Sequence, residues 1–340
     1  MRKVAVILGA GASLDAWNGT GPPANPTWAP PLAKDLFGAR DIFWRVLETY
    51  RGAQVLASDL GELVRRGLNI EQKLREYSEH RDGRVRNHFK HVPPYLRDLL
   101  NTVVREYTGE HPPGTHLRFL MKLLTSNLQL AFVVLNYDDY VELSLSAFDE
   151  RLRIRTMDDY VAPGRPALVC KVHGSVDWGR PMEDKGNWEA SVLTLDLSKR
   201  PSQILLEQSR SRSREWFTQD RKQMLYPVLT APLAGKGHTD LVCPAEHLDA
   251  LREFLSDCRD LLVIGTSGQD DDLAALLASC LSEVKIAHYV NGDRQAAEQV
   301  HDRFSARVPA FRSASTVFYD EGFRAYTGSE ELDAFLAGNT

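Results

Sequence analysis

The chain has 340 residues, 43% of them hydrophobic and 26% charged, with a net charge of −5. These are the proportions of a soluble globular protein with ample core, and they exclude a global basic field that would draw it onto nucleic acid or anionic lipid. No stretch approaches the roughly 18 apolar residues of a membrane span, and four widely spaced cysteines (Cys170, Cys243, Cys258, Cys280) with no Cys-x-x-Cys pair fit a reducing cytoplasm and exclude a four-thiolate zinc site.

The first predicted element is residues 4–8, an apolar run that passes straight into Gly9-Ala10-Gly11-Ala12-Ser13. The run is too short and lacks the flanking pattern of a signal peptide. A buried strand that hands over to a Gly-x-Gly turn and a helix presents backbone N–H groups to a dinucleotide phosphate. Gly9 allows the tight turn, and Gly11 lets the backbone approach a pyrophosphate. Leu14 stands where a third glycine would complete a dehydrogenase fingerprint, so the turn argues for nucleotide binding and against hydride transfer. The alternative is a turn of small residues with no ligand. Residues 17–31 follow, with five prolines and two tryptophans that cannot continue a helix. They read as a lid over the nucleotide, or as a surface loop held down by its tryptophans.

Residues from about 32 to 127 carry a helical apolar period, as at Leu96, Leu99, Leu100, Val103, Val104 and Tyr107. A strand at 130–135 then ends in Asn136-Tyr137-Asp138-Asp139, and one at 167–172 ends in His173-Gly174-Ser175. Asn136 offers donors and an acceptor, and His173 can take or give a proton near neutral pH. Taken singly, the first cluster reads equally as a helix N-cap and the second as a structural histidine. Residues 177–245 are mixed and rich in tryptophan and charge, with a basic run at 210–214 that reads as a solvated or mobile loop, or as a contact for a partner's phosphates or acidic surface. Strands at 261–265 and 284–290 lead into Thr266-Ser267 and Asn291. Gln269 stands where a nucleophile elbow needs its second glycine. Cys243 with His247 is a weak metal pair, and His88 with His91 reads as a solvated helix face.

The rhythm predicts an α/β fold: a Rossmann-like, mostly parallel sheet with helices on both faces, plus a smaller helical lobe built from insertions and no zinc module. The core covers about 1–31, 128–176 and 246–325. The insertions cover about 32–127 and 177–245. The site is expected at the carboxyl ends of the strands.

These pieces, in this order, resemble the sirtuin family, and more narrowly the sirtuin-like domains that hydrolyse NAD+ in bacterial anti-phage defence. The resemblance rests on Gly9 to Ser13, Leu135-Asn136-Tyr137-Asp138, Lys171-Val172-His173-Gly174-Ser175, Gly265-Thr266-Ser267 and Asn291. It implies that Gly9, Ala10, Gly11, Ala12, Ser13, Gly265, Thr266 and Ser267 hold phosphates and ribose. It implies that Asn136 and Asp138 line the nicotinamide pocket, that His173 is the base, and that Asn291 touches the adenosine ribose. A Pro…Lys segment at 226–236 and the acidic run Gln269-Asp270-Asp271-Asp272 are similar to further features of the defence-type domains.

Deacylating sirtuins carry four zinc cysteines and a Gln before the Asn, where this chain has Leu135. The implied activity is therefore hydrolysis of NAD+, as substrate, to nicotinamide and ADP-ribose, with no metal. Protein deacylation or ADP-ribosyl transfer is the alternative with a protein acceptor. A non-catalytic NAD-derivative-binding or assembly subunit is the alternative of another class. An unrestrained NAD+ hydrolase would drain its host. A homo-oligomer, or a complex with a separately encoded partner such as a motor ATPase, is the expected restraint.

Overall fold

The computed structural model describes residues 1–17, 30–32, 36–37, 41–66, 70–108, 112–197, 201–207, 216–218, 222–230 and 242–338. The expected lid at 17–31, the basic run at 210–214 and the later part of the 226–236 segment lie largely outside them.

Six strands build the core: β1 (Arg2–Leu8), β2 (Leu128–Val134), β3 (Ala167–Lys171), β8 (Asp260–Ile264), β9 (Ile286–Val290) and β10 (Ser315–Tyr319). All pair in parallel, in the spatial order β10-β9-β8-β1-β2-β3. Parallel strands are covered on both faces, which is why the middle ones are continuous apolar runs: Val4 to Leu8 are all at most 1% exposed. β10, at the edge, is only half-buried, and it was not among the expected strands. Helices flank this sheet. They include α1 (Ala10–Trp17), α7 (Gly114–Thr125), α8 (Tyr140–Phe148), α10 (Ala245–Ser256), α11 (Asp271–Cys280), α12 (Arg294–Arg307), α13 (Gly322–Tyr326) and α14 (Glu330–Ala337).

The order places β1 beside β8, so successive crossovers run one way from β1 to β3 and the other way from β8 to β10. That reversal is the topological switch point, where open α/β sheets form a crevice outside the strand ends. Register brings the three central strands level: Leu8 pairs with Val134 on one side and with Ile264 on the other. The residues that follow, Gly9, Leu135 and Gly265, therefore begin one common rim.

The two insertions share a second core. Helices α2 (Asp41–Leu47), α3 (Arg51–Arg65), α4 (Ile70–Ser78), α5 (Gly83–Phe89) and α6 (Val92–Thr108) come from the first. The second supplies α9 (Trp188–Thr194) and a four-stranded antiparallel sheet in the order β5-β4-β7-β6. Its strands are β4 (Gly174–Pro181), β5 (Leu205–Leu206), β6 (Trp216–Phe217) and β7 (Met224–Leu229). The periodic face of α6 supplies Leu96, Leu99 and Val103 to this core, beside Tyr50, Trp188 and Tyr226. The lobe is thus not purely helical. Among the described residues, no helix is long and apolar enough to cross a membrane.

Candidate active site

Two turns interlock at the switch point. Gly9 N–H donates to Ile264 O (2.9 Å), and Gly11 N–H donates to Gly265 O (2.8 Å). A Cβ on Gly9 would lie 2.5 Å from Gly265 O, and one on Gly11 would lie 2.8 Å from the same oxygen. Gly265 itself has φ +63°, and a Cβ there would meet Ala12 N at 2.1 Å. Glycine at these positions is therefore required by the contact between the two turns. The expectation for Gly11 was an open approach to a pyrophosphate. Its N–H is instead engaged by the second turn. Ala10 and Ala12 lie in the first turn of α1, where Ala12 N–H donates to Gly9 O (2.9 Å).

On this frame sits a hydrogen-bonded cluster drawn from two strand ends. Asn136 Nδ2 donates to Gly9 O (3.0 Å) and to Ser13 Oγ (2.8 Å). The Ser13 hydroxyl donates onward to Asp138 Oδ2 (2.7 Å), and Tyr140 N–H donates to Asp138 Oδ1 (3.3 Å). Withdrawal from water pushes the Asp138 carboxyl up to about 6, against the opposing pull of Lys171 and the Ser13 hydroxyl. Asn136 Oδ1 is buried and has no hydrogen-bond partner among the described residues. A buried amide oxygen left in this way is a vacant acceptor, since such atoms are otherwise paired.

A buried ion pair supports the cluster from beneath. Lys171 is 0% exposed, and its Nζ lies 2.9 Å from Glu142 Oε1. The same ammonium donates to the carbonyls of Tyr137 and Asp138, and so fixes the Asn136–Asp138 turn to the end of β3. Tyr160 OH donates to Glu142 (3.0 Å), and Trp178 Nε1 donates to Tyr160 OH (3.1 Å). The sequence pattern did not mark Lys171 as more than a motif neighbour.

His173, 7% exposed, follows β3 by two residues. Its Nδ1–H donates to Leu135 O (3.2 Å), and its Nε2 lies 2.6 Å from Asp270 Oδ2. Asp270 also caps α11, its Oδ1 accepting from Leu273 N–H (2.9 Å). Gly174 must be glycine: its φ is +83°, and a Cβ would lie 2.2 Å from Val228 O. Here the chain turns sharply from the parallel sheet into the antiparallel one. The contact between His173 and Asp270 was not anticipated, and its one sequence signal was the acidic run after Gly265-Thr266-Ser267.

Around the second turn, Thr266 Oγ1 accepts from Gly268 N–H (3.1 Å), and Asn291 Nδ2 reaches Thr266 O (3.5 Å). Ser267 is exposed, and its carbonyl accepts from Arg303 (2.6 Å). The structure thus joins Gly9, Ser13, Asn136 and Asp138 directly, sets Gly265, Thr266 and Asn291 together, and ties His173 to Leu135 and Asp270. Cys243 and His247 do not form a metal pair. Cys243 Sγ lies 3.8 Å from Cys170 Sγ, and His247 is bonded to Met157 O (2.9 Å) and packed on Tyr160 and Trp178. Among the described residues, no group of three or more His, Cys, Asp or Glu side chains is placed to hold a metal ion. His91 departs from the solvated face expected of it. It is 6% exposed, edge-on to Trp188 and 3.4 Å from Glu189.

No protein-family model matches the chain, and no curated protein matches it. Among solved structures, it is similar to a Sir2 homologue in complex with NAD, at 12% identity over 99% of this chain and 90% of that one (TM-score 0.45). A Sir2 homologue in complex with 2′-O-acetyl ADP-ribose shows 14% identity over 99% and 92% (TM-score 0.44). Sir2Tm bound to a propionylated peptide shows 11% identity over 100% and 94% (TM-score 0.41). Identities and scores this low leave function to be argued from the site.

Proposed function

We propose that this chain binds NAD+ at the switch point and hydrolyses the nicotinamide–ribose bond, releasing nicotinamide and ADP-ribose. The observation that carries this reading is the convergence of an Asn136 amide oxygen without a partner among the described residues, a hydrogen-bonded Asp138 and His173 around one strand-end rim. The glycine turns and Ser13 stand where an open α/β sheet takes a nucleotide, with Ser267 and Asn291 beyond them.

The chemistry needs few groups. Nicotinamide departs as a neutral molecule, so no strong acid is required, and the barrier lies in positive charge at the anomeric carbon. Water supplies the hydroxyl that replaces nicotinamide, and one proton is released. His173 takes that proton at Nε2, directly or through a ribose hydroxyl, for roughly 10²–10⁴-fold in rate. Asn136 orients the water or the ribose. Asp138 holds the nicotinamide carboxamide or offsets the developing charge.

In the cell, this reading makes the protein an NAD+-depleting effector of anti-phage defence, restrained by self-association or by a partner such as a motor ATPase. Mass and turnover measured together across a dilution series, with and without candidate partners, test the restraint. A monomer that turns over fully at every concentration, whatever partner is added, argues against it.

The activity is tested by incubating purified protein with NAD+ and following nicotinamide and ADP-ribose by chromatography. Both products are expected in equal amounts. His173→Ala is expected to keep its fold and NAD+ binding and to lose about 10²-fold or more in turnover. Unchanged turnover in that variant removes His173 from the mechanism. NAD+ recovered intact under all conditions overturns the activity.

A further inference from the structure

We infer that Asp270 is a positioning residue for His173: its carboxylate holds the imidazole and competes with an incoming hydroxyl for Nε2. The inference rests on the reading of His173 as the proton acceptor, and it goes beyond that reading to what controls the acceptor atom.

The ring is placed between two acceptors. Leu135 O lies 3.2 Å from Nδ1, and Asp270 Oδ2 lies 2.6 Å from Nε2. A neutral imidazole has a single N–H and satisfies one of them only. The contact with Asp270 is an ion pair only when Nε2 carries a proton. In that state the Nε2 lone pair is not available to a substrate hydroxyl. The base becomes competent when Nε2 is free of a proton and the hydroxyl displaces the carboxylate from it.

Asp270 is fixed in this position. Its other oxygen caps α11 through Leu273 N–H (2.9 Å). The loop that carries it is clasped by α12: Arg303 donates to Ser267 O (2.6 Å), and Arg307 donates to Gly268 O and pairs with Asp271 at 2.5 Å. Three other charged groups of the neighbouring elements have partners of their own. Asp138 accepts from Ser13 and Tyr140, Lys171 pairs with Glu142, and Asp271 pairs with Arg307. Asp270 is thus the carboxylate that meets the ring at contact distance, 97 positions away from it in sequence (270 − 173).

The test uses Asp270→Asn, because Asn caps a helix about as well as Asp and removes the charge at nearly the same shape. Asp270→Ser, also a capping residue without a carboxylate, serves as the second variant. The His173 ring is titrated by NMR in the nucleotide-free full-length protein, and the pH–rate profile of NAD+ hydrolysis is recorded beside it. Loss of the negative partner disfavours the imidazolium. The His173 midpoint is therefore expected to fall by about one pH unit or more in both variants. The acid limb of the rate profile is expected to move by the same amount. A midpoint that stays within about 0.3 units of wild type in both variants overturns the inference, because a helix cap alone does not move the ring's titration. The NMR readout needs no turnover. A shifted midpoint with no hydrolysis in any protein supports the coupling and refutes the activity instead.

Discussion

Gly265 approaches Gly11 so closely that a Cβ on Gly265 would lie 2.6 Å from the Gly11 carbonyl carbon. The two turns that open the rim are therefore one packed unit. Gly265→Ala forces an L residue to φ +63°, at about 1–2 kcal/mol, and overpacks the junction for about 1–3 more. The variant is expected to be about 3 kcal/mol less stable in urea denaturation. A loss below about 0.5 kcal/mol, typical of a neutral surface site, contradicts this packing.

Lys171 and Glu142 make a second, separable prediction. Lys171→Met leaves the Glu142 carboxylate and the Tyr137 and Asp138 carbonyls without their shared donor. Removal of one partner of a buried pair costs about 3–5 kcal/mol. Adding Glu142→Gln removes the stranded charge and keeps an acceptor for Tyr160. The double variant is expected to be more stable than Lys171→Met alone. A double-mutant cycle by chemical denaturation checks this, and strictly additive losses would falsify the coupling.

The raised Asp138 carboxyl predicts a pH dependence of known sign. Its folded value of about 6 lies above the ordinary 3.8, so the fold favours the protonated form. The penalty for its charge is full above pH 6 and is relieved as pH falls towards 4. Asp138→Asn lacks this titration. Stability of the wild type minus that of the variant should therefore rise on acidification from pH 8 to pH 4. A difference that is flat, or that falls, shows that Asp138 is not raised in the folded state.

Asn136→Asp keeps the shape and replaces the amide donor with an acceptor. Both hydrogen bonds of Nδ2, to Gly9 O and Ser13 Oγ, are then disrupted. A fall of about 1–3 kcal/mol in stability is expected from the two bonds. On the proposed reading, in which Asn136 serves the reacting ribose, NAD+ hydrolysis should drop by about 10²-fold or more while the affinity for ADP-ribose changes modestly. A variant whose only defect is a raised KM contradicts that role.

The middle of the sheet was legible because buried parallel strands are unbroken apolar runs, and each ends abruptly at a polar or glycine cluster. β10 lacked that signal, since an edge strand buries only part of each face. The antiparallel sheet was less legible still. β4 holds Gly179, Arg180 and Pro181, its pairing with β7 shifts register between Gly174 and Gly179, and no alternation survives. The Gly-x-Gly turn, Asn136 and His173 could be placed at strand ends because each follows a recognisable strand. Asp270 was visible only as one of several acids, because what distinguishes it is a contact far away in sequence. The packing of Gly11 against Gly265 was hidden on the same ground, because local spacing does not reveal it.

The chain leaves the parallel sheet after β3 and returns beside its own point of departure: Val242 N–H donates to Val172 O (3.1 Å), and Thr230 N–H donates to His173 O (2.9 Å). The described ends of the intervening excursion thus meet at the strand end that carries His173. Closing a long loop whose ends already meet adds little entropic cost per added residue, and the excursion is held besides by Trp188 and Tyr226, which pack in one core with Tyr50, Leu96 and Leu99 of the first insertion. The root of the excursion is the backbone of His173 itself.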